Sequence, residues 1–247
     1  MQYQSHCMPS LNLLEKLVHS FQSRKSWSVK TAQKKQLKKA EEKVIKSETT
    51  TEPKVLWQIG APDDEDDFLQ QVAKESLILR GDDAIALSAQ LPPRATGFPW
   101  KLVYSTHTHG TSLSTLIRKL TKETAPSSPI ILLIEDLEGH VFGSYMSCAW
   151  KISDHFHGDS STFVFKGGPE EFTSFKWSGH KHAYFLQAKE DFVTIGASNG
   201  KYALWLDNCL DKGRTEECKT FGSTPLTPNK DFSVKYLECW ALDDLLL

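Results

Sequence analysis

The histidines are the first residues of this chain whose spacing suggests chemistry. They form three His-x-His pairs: His107 with His109, His155 with His157, and His180 with His182. In an extended strand, residues i and i+2 share a face, so each pair offers two nitrogen ligands to Zn²⁺. Two ligands do not complete a site, and each pair stands beside a glycine, where exposed turn histidines are common. We therefore predict turn histidines and no metal site.

The sequence contains neither the motif of a serine hydrolase nor that of a phosphate-binding loop. A serine hydrolase needs its nucleophile on a strained G-x-S-x-G turn, with a base and an orienting acid brought in from elsewhere. The run Ser153-Asp154-His155 has the right residue types, but sequence neighbours do not converge as a triad does. The pair Gly167-Gly168 precedes Pro169, and no Lys-Ser/Thr follows it. The sequence therefore predicts no catalytic centre, no bound cofactor and no small-molecule substrate.

The cysteines leave one redox alternative open. There are 5 cysteines, an odd number, and none shows the Cys-x-x-Cys spacing of a redox or zinc motif. Cys218 lies in a polar segment between Arg214 and Lys219, where positive charge favours the reactive thiolate. Cys218, or else Cys209, is thus the candidate thiol for a direct antioxidant role. The other interpretation is an inert loop or core cysteine.

The composition argues against a nucleic-acid-binding or membrane-spanning protein. The chain has 247 residues and a net charge of -2, which gives no whole-chain argument for nucleic acid binding. No run of 18 apolar residues occurs, and the start lacks a basic region followed by an apolar one. We therefore expect a soluble cytoplasmic protein, with nuclear location or recruitment to organelle membranes through partners as alternatives.

The segment from Leu91 to Leu120 predicts a strand followed by a helix, with His107 and His109 between them. Trp100 to Tyr104 is rich in aromatic and β-branched residues, which favour a strand. After Gly110, either Thr111 or Ser112 can cap a helix. The apolar positions of that helix recur at i, i+3, i+4 and i+7: Leu113, Leu116, Ile117 and Leu120.

Most of the remaining pattern is typical of β-structure. Ile130 to Ile134 predicts a strand buried on both faces, and a turn at 136–139 leads into a partner strand at Val141 to Tyr145. Short helices are predicted at Phe68 to Leu79 and from Asp82. Further strands are predicted at 162–165, 172–177, 184–186, 192–195, 202–206 and 232–242. The fold class is therefore α+β, mainly β: a sandwich of two antiparallel sheets with a few short helices.

Residues 1–75 are rich in lysine and acidic residues, which predicts an extension separate from the folded domain. Lysines dominate from Arg24 to Lys46, which predicts a solvated helix or a disordered arm; contact with an anionic membrane surface or RNA is the alternative. The acidic cluster at 63–67 lacks the alternation and the closing Glu of an EF-hand loop, so we interpret its carboxylates as groups that solvate the preceding polar linker or pair loosely with the lysine-rich arm. The sequence therefore divides into two predicted regions: a flexible or helical arm over 1–75 and a folded domain over 76–247.

The order of motifs in that domain resembles the TLDc domain family, of the oxidation resistance type and nearest to its short members. The matching blocks are LPPRATGFPWKLVYSTHTHGTSL at 91–113, SPIILLIEDLEGHVFGSY at 128–145, SDHFHG at 153–158, TFVF at 162–165, FKWSG at 175–179, YALWLD at 202–207, GR at 213–214, CKTFGS at 218–223 and DFSVKYLECWAL at 231–242. Each block is weak alone, but their order and spacing together are specific.

The resemblance implies a two-sheet sandwich without established catalytic activity. It also implies a role in resistance to oxidative stress and binding to subunits of the vacuolar proton-pumping ATPase. The candidate interaction loops that it indicates hold Ser153, Asp154, His155, Gly158, Asp207, Gly213 and Arg214. Members of the family usually read G-x-G-E-T-F where this chain has 158–163 as GDSSTF, and they carry more glycines than the 196–200 run GASNG. Both departures fall in loops, where they bear on binding more than on architecture.

Overall fold

The computed structural model describes residues 62–167, 172–179, 181 and 184–242. All of them belong to residues 56–247, one of the two compact units of the chain. The predictions for the lysine-rich arm and for His180 and His182 lie outside the described residues. Within the described residues, no helix is long and apolar enough to cross a membrane.

Four helices and ten strands make up the described part of the chain. The helices are α1 (Pro62–Glu75), α2 (Gly81–Ser88), α3 (Thr106–His109) and α4 (Leu113–Glu123). The strands are β1 (Trp100–Ser105), β2 (Ile130–Asp136), β3 (Val141–Met146), β4 (Phe163–Lys166), β5 (Thr173–Phe175), β6 (Leu186–Ala188), β7 (Phe192–Ser198), β8 (Lys201–Asp207), β9 (Lys212–Arg214) and β10 (Asp231–Leu242).

The strands form two antiparallel sheets that share β10. Sheet A has the order β1-β10-β2-β3-β4-β5, and sheet B has the order β10-β9-β8-β7-β6. Residues Asp231 to Ser233 of β10 pair with β9, whereas Val234 to Ala241 pair with β2. A register shift between Val234 and Tyr236 marks the change of partner. The predicted fold class, mainly antiparallel β with a few short helices, is confirmed.

Two apolar layers hold the sheets in place. The larger layer lies between sheets A and B and takes Leu132 and Ile134 from β2, together with the apolar face of α4. The second layer lies between α1, α2 and the other face of sheet A, and it takes Ile131 and Leu133. Strand β2 is therefore buried on both faces, as its continuous apolar run predicts.

The predicted helix after Gly110 is confirmed, and Ser112 is its cap. The Ser112 Oγ accepts a hydrogen bond from the Thr115 backbone N–H at 3.4 Å. The preceding residues, expected as a polar turn, instead form the single turn α3. The Nδ1 of His109 accepts from the Ser105 N–H at 3.0 Å, and so satisfies a donor at the start of that turn.

The acidic cluster at 63–67 lies in the first turns of α1, and the interaction of its carboxylates with the linker or with the lysine arm stays a prediction. Lys74 stands in the last turn of α1, where the negative end of the helix dipole favours a cation. Leu69 and Val72 of α1 are buried against sheet A. The boundary at residue 76 stays a prediction, but the packing of α1 brings residues before it into the fold.

Candidate interaction surface

Sheet B ends in a row of carboxylates, which we call the acidic end: Asp154, Glu190, Asp191, Asp207 and Asp211. Asp207 closes β8 and faces Phe192, the first residue of β7, across the ladder. Glu190 and Asp191 form the β6–β7 turn, which closes with a hydrogen bond from the Lys189 N–H to the Phe192 carbonyl at 2.8 Å. Both side chains are exposed. The turn therefore presents negative charge on a fixed backbone.

Asp154 reaches the same end of sheet B on a loop beside β6. Ile152 pairs with Ala188 and His157 pairs with Leu186, so residues 153–156 bulge away from the strand between these two points. The carboxylate of Asp154 binds the Lys189 ammonium group. That hydrogen bond, followed by the charge of Lys189, lowers the pKa of the Asp154 carboxyl below its ordinary value. Asp154 is therefore an anion at neutral pH.

The turn after β8 is held from both sides. The Asp207 Oδ1 accepts from the backbone N–H groups of Asp211, at 3.0 Å, and Lys212, at 3.2 Å. The Asn208 carbonyl accepts from the Leu113 N–H at 2.9 Å, which ties the turn to the start of α4. The acidic end thus spans β6 to β9, about 15 Å at the ordinary spacing between strands.

The structure assigns different surroundings to the predicted loop residues. Asp154 and Asp207 share the acidic end, and Ser153 shapes its loop by accepting from the His155 N–H at 3.1 Å. Ser153, Asp154 and His155 therefore form a turn and not a catalytic triad. Their part in binding stays a prediction.

Of the remaining loop residues, Gly158 lies beside Leu186 and Ser147, whereas Gly213 and Arg214 lie in β9, which begins directly after Asp211 of the acidic end. A Cβ on Gly213 would lie 2.1 Å from the Phe232 ring, so this glycine is required for packing. Arg214 pairs with Asp231 across β9 and β10 at 2.6 Å. Gly158 has a φ of +87°, which favours glycine.

The two histidine pairs within the described residues, His107 with His109 and His155 with His157, do not present two ligands on a common strand face. His107 and His109 lie in α3, where His107 meets the edge of Tyr236 and His109 stacks on Tyr104. In the second pair, His155 is exposed on the bulging loop, whereas both ring nitrogens of His157 are buried. Among the described residues, Asp136, Glu138 and His140 form a group of three whose potential ligand atoms lie within 4.8 Å of one another. There the Asp136 carboxylate bonds the His140 backbone N–H and Nδ1, both at 2.8 Å, and so shapes the β2–β3 turn.

Burial of His157 predicts a pH dependence of stability. Desolvation, followed by the charge of Lys151, lowers the pKa of His157 below its ordinary value. At a pH between the pKa of His157 in the folded chain and its pKa in the unfolded chain, about 6.5, the unfolded chain binds more protons. The contribution of His157 to the free energy of unfolding therefore falls as the pH drops below about 6.5. We expect urea unfolding midpoints to drop less from about pH 7.5 to about pH 5 in His157→Gln than in the wild type. The matched control is His155→Gln, and equal drops in wild type and His157→Gln would contradict the prediction.

The loop that departs from the family pattern still carries an acidic group. Asp159 pairs with Arg94 at 3.2 Å, and the same guanidinium donates to the Ser161 Oγ at 2.8 Å. Burial tends to raise the pKa of the Asp159 carboxyl, but hydrogen bonds from Ser161 and the charge of Arg94 outweigh it, so the pKa lies below its ordinary value. Ser161 occupies the position where the family usually has Glu. Its backbone N–H and its hydroxyl both donate to the carboxylate of Asp159, two residues earlier.

Cys218 lies in its predicted loop, but its side chain is fully buried. Its backbone pairs with Ser223, and its Sγ lies 3.6 Å from the Ser198 Oγ. The exposed thiol that the sequence suggested is therefore absent at this position. Cys209, the other candidate, is exposed in the turn after β8.

Burial predicts the order in which the described thiols react. We expect Cys209 to be alkylated first and Cys148 more slowly, because Cys148 is partly buried and desolvation raises its pKa. Cys218 and Cys239 should stay protected until unfolding, and burial also raises the pKa of Cys239 strongly. Pulsed alkylation followed by peptide mass spectrometry checks the order. Modification of native Cys218 as fast as Cys209 would contradict it and would support the direct redox role.

Sequence reasoning missed Glu190 and Asp191, which contribute most of the exposed charge of the β6–β7 turn. The signal was present, because Lys-Glu-Asp separates two apolar runs, as turn residues do. What the sequence did not show is that Asp154 and Asp207 end on either side of this turn. That juxtaposition depends on the pairing of β6, β7 and β8.

Comparison with known proteins agrees with this architecture. The family model described as the TLDc domain matches residues 72–243. Oxidation resistance protein 1 of Homo sapiens is 41% identical over 176 residues, which cover 71% of this chain and 20% of that protein. The Bos taurus protein of the same name is 41% identical over 174 residues, 70% of this chain and 19% of the relative. Nuclear receptor coactivator 7 of Homo sapiens is 38% identical over 181 residues, 73% of this chain and 19% of the relative. The chain thus spans about a fifth of the length of these relatives.

Proposed function

The chain belongs to the TLDc domain family, and from that membership we propose that it is a non-catalytic interaction module that supports resistance to oxidative stress. The name of these relatives, oxidation resistance protein 1, supports the cellular role. The partner that we propose is a set of subunits of the vacuolar proton-pumping ATPase, bound in the cytoplasm at organelle membranes.

The observation that carries the proposal is the acidic end of sheet B. Its carboxylates stand on turns whose backbones are fixed by hydrogen bonds, at the Lys189–Phe192 turn and at the Asp207–Lys212 turn. A surface that is ordered before binding loses little conformational entropy when a partner docks. Its charge favours a partner surface rich in lysine and arginine and accelerates the encounter with it.

Charge reversal at the β6–β7 turn tests this function. In cells that lack the endogenous chain, the wild type should restore survival after peroxide, and Glu190→Lys/Asp191→Lys should not. The control is Glu138→Lys/Glu217→Lys, which makes the same charge change at two exposed residues elsewhere on the domain. Survival restored equally by both variants would refute a role for the acidic end, and failure of the wild type to restore survival would refute the cellular role.

A further inference from the structure

Three loops meet at the other end of sheet B, opposite the acidic end. The β7–β8 turn occupies 198–201, and the Ser198 Oγ accepts from the Lys219 N–H at 2.9 Å. The Ser178 side chain donates to the Lys219 carbonyl at 2.6 Å, and its backbone N–H donates to the Thr220 carbonyl at 3.0 Å. The loops at 176–179 and 198–201 are therefore each hydrogen-bonded to the loop at 219–222.

These loops and the neighbouring Lys181 carry a set of exposed lysines. The set is Lys176, Lys181, Lys201 and Lys219, which we call the basic tip. None of these lysines has a carboxylate within salt-bridge distance among the described residues. By contrast, the lysines next to sheet B at its other end are paired: Lys189 with Asp154 and Lys212 with Asp211. Glu217, just before Cys218, is the nearest carboxylate in sequence to Lys219 and is exposed.

A tryptophan stands among these lysines. The Trp177 side chain is 39% exposed, although the rest of the ring rests edge-on against buried Phe185, with centroids 6.2 Å apart. The bond from Ser178 to Lys219 holds the adjoining backbone in place. The indole therefore has a fixed position and a large apolar surface in contact with solvent.

We propose that the basic tip binds an anionic membrane surface, with Trp177 at the level of the lipid headgroups and the lysines facing the negative lipids. An indole combines an apolar body with a polar N–H and is favoured at the membrane–water boundary. Each lysine near an anionic leaflet adds to the attraction. Lysines on separate loops around one aromatic ring match a flat surface better than a single acidic peptide. The five carboxylates of the acidic end lie at the opposite end of sheet B, and Glu217 is the exposed carboxylate beside Lys219. This proposal does not depend on the proposed partner of the acidic end.

Vesicle co-sedimentation of the full chain tests the lysines. The vesicles contain phosphatidylcholine with about 30% phosphatidylserine, and pure phosphatidylcholine serves as the neutral comparison. We expect Lys201→Ala/Lys219→Ala to weaken binding to the anionic vesicles about 25-fold, about fivefold for each lysine. The matched control, Lys74→Ala/Lys122→Ala, removes two exposed lysines from α1 and α4 and should change binding less than about twofold. The lysine-rich arm is present in all of these proteins, so a difference between the two lysine pairs arises outside the arm.

Brominated lipids test the position of Trp177. Quenching of tryptophan fluorescence by anionic vesicles should occur in the wild type and decrease in Trp177→Phe, which keeps an aromatic edge for Phe185 and leaves the other six tryptophans in place. Equal losses of vesicle binding in the two lysine pairs, or unchanged quenching in Trp177→Phe, would overturn the proposal. It would also be overturned if Lys201→Ala/Lys219→Ala lost binding to a soluble polyglutamate peptide while keeping its binding to the anionic vesicles, because the tip would then be a site for acidic protein segments.

Discussion

Replacing Glu238 by alanine is expected to lower the free energy of unfolding by about 3 kcal/mol, because it removes a buried acceptor that serves three donors. The Glu238 carboxylate accepts from the Ser76 hydroxyl at 2.6 Å, the Leu77 N–H at 2.8 Å and the Trp240 Nε1 at 3.0 Å. The Ser76 oxygen in turn accepts from the Leu79 N–H at 2.9 Å. This network joins the segment between α1 and α2 to β10.

Two further variants separate the causes of that loss. Glu238→Gln keeps the shape but brings an amide donor close to the Trp240 N–H, so its loss should be intermediate. Glu138→Ala, at an exposed position, should change stability by less than about 0.5 kcal/mol. Urea denaturation measures all three variants. A loss in Glu238→Ala no larger than in Glu138→Ala would contradict the structural role of the network.

Gly143→Ala is expected to destabilise the domain by at least about 3 kcal/mol, or to prevent folding, because the added methyl group meets backbone and not a flexible side chain. A Cβ at Gly143 would lie 1.9 Å from the Leu132 carbonyl oxygen and 3.0 Å from the Phe165 ring. Both neighbours are fixed, since β3 pairs with β2 on one side and with β4 on the other. The sheet can accept the methyl group only by shifting a central strand.

Gly139→Ala is the matched control for this effect. Gly139 has a φ of +88°, but no atom lies within 4 Å of its added Cβ. Its cost is therefore backbone strain alone, about 1 to 2 kcal/mol. Comparison of the soluble yield and the urea midpoint of the two variants measures the difference. Equal stability of Gly143→Ala and Gly139→Ala would show that β2 and β3 are less tightly packed than the structure indicates.

Elements with a strong local signal were predictable from the sequence. The apolar run at 130–134 gave β2 and its burial on both faces, and Ser112 with the spaced leucines gave α4 and its cap. Strand β9 escaped prediction because Lys-Gly-Arg has no β-forming residue. It exists because Gly213 leaves room for the Phe232 ring, which belongs to β10. Such an element depends on its neighbour rather than on its own sequence.

The candidate surfaces were harder to predict for the same reason. Asp154 and Asp207 were singled out through the family resemblance, but their shared location depends on the strand order of sheet B. Cys218 is preceded and followed by charged residues, yet its side chain points into the core. Local composition therefore predicts which residues lie in loops but not which way their side chains point.

Affinity purification with the acidic end reversed in charge tests the central claim most directly. The full chain and the control Glu138→Lys/Glu217→Lys should recover vacuolar ATPase subunits equally, whereas Glu190→Lys/Asp191→Lys should recover about tenfold less, because opposed like charges disfavour docking. Thermal unfolding of the three proteins confirms that the variants are folded. Recovery of the subunits at the same level by all three proteins would contradict the assignment of the acidic end, and recovery of none by the wild type would contradict the proposed partner.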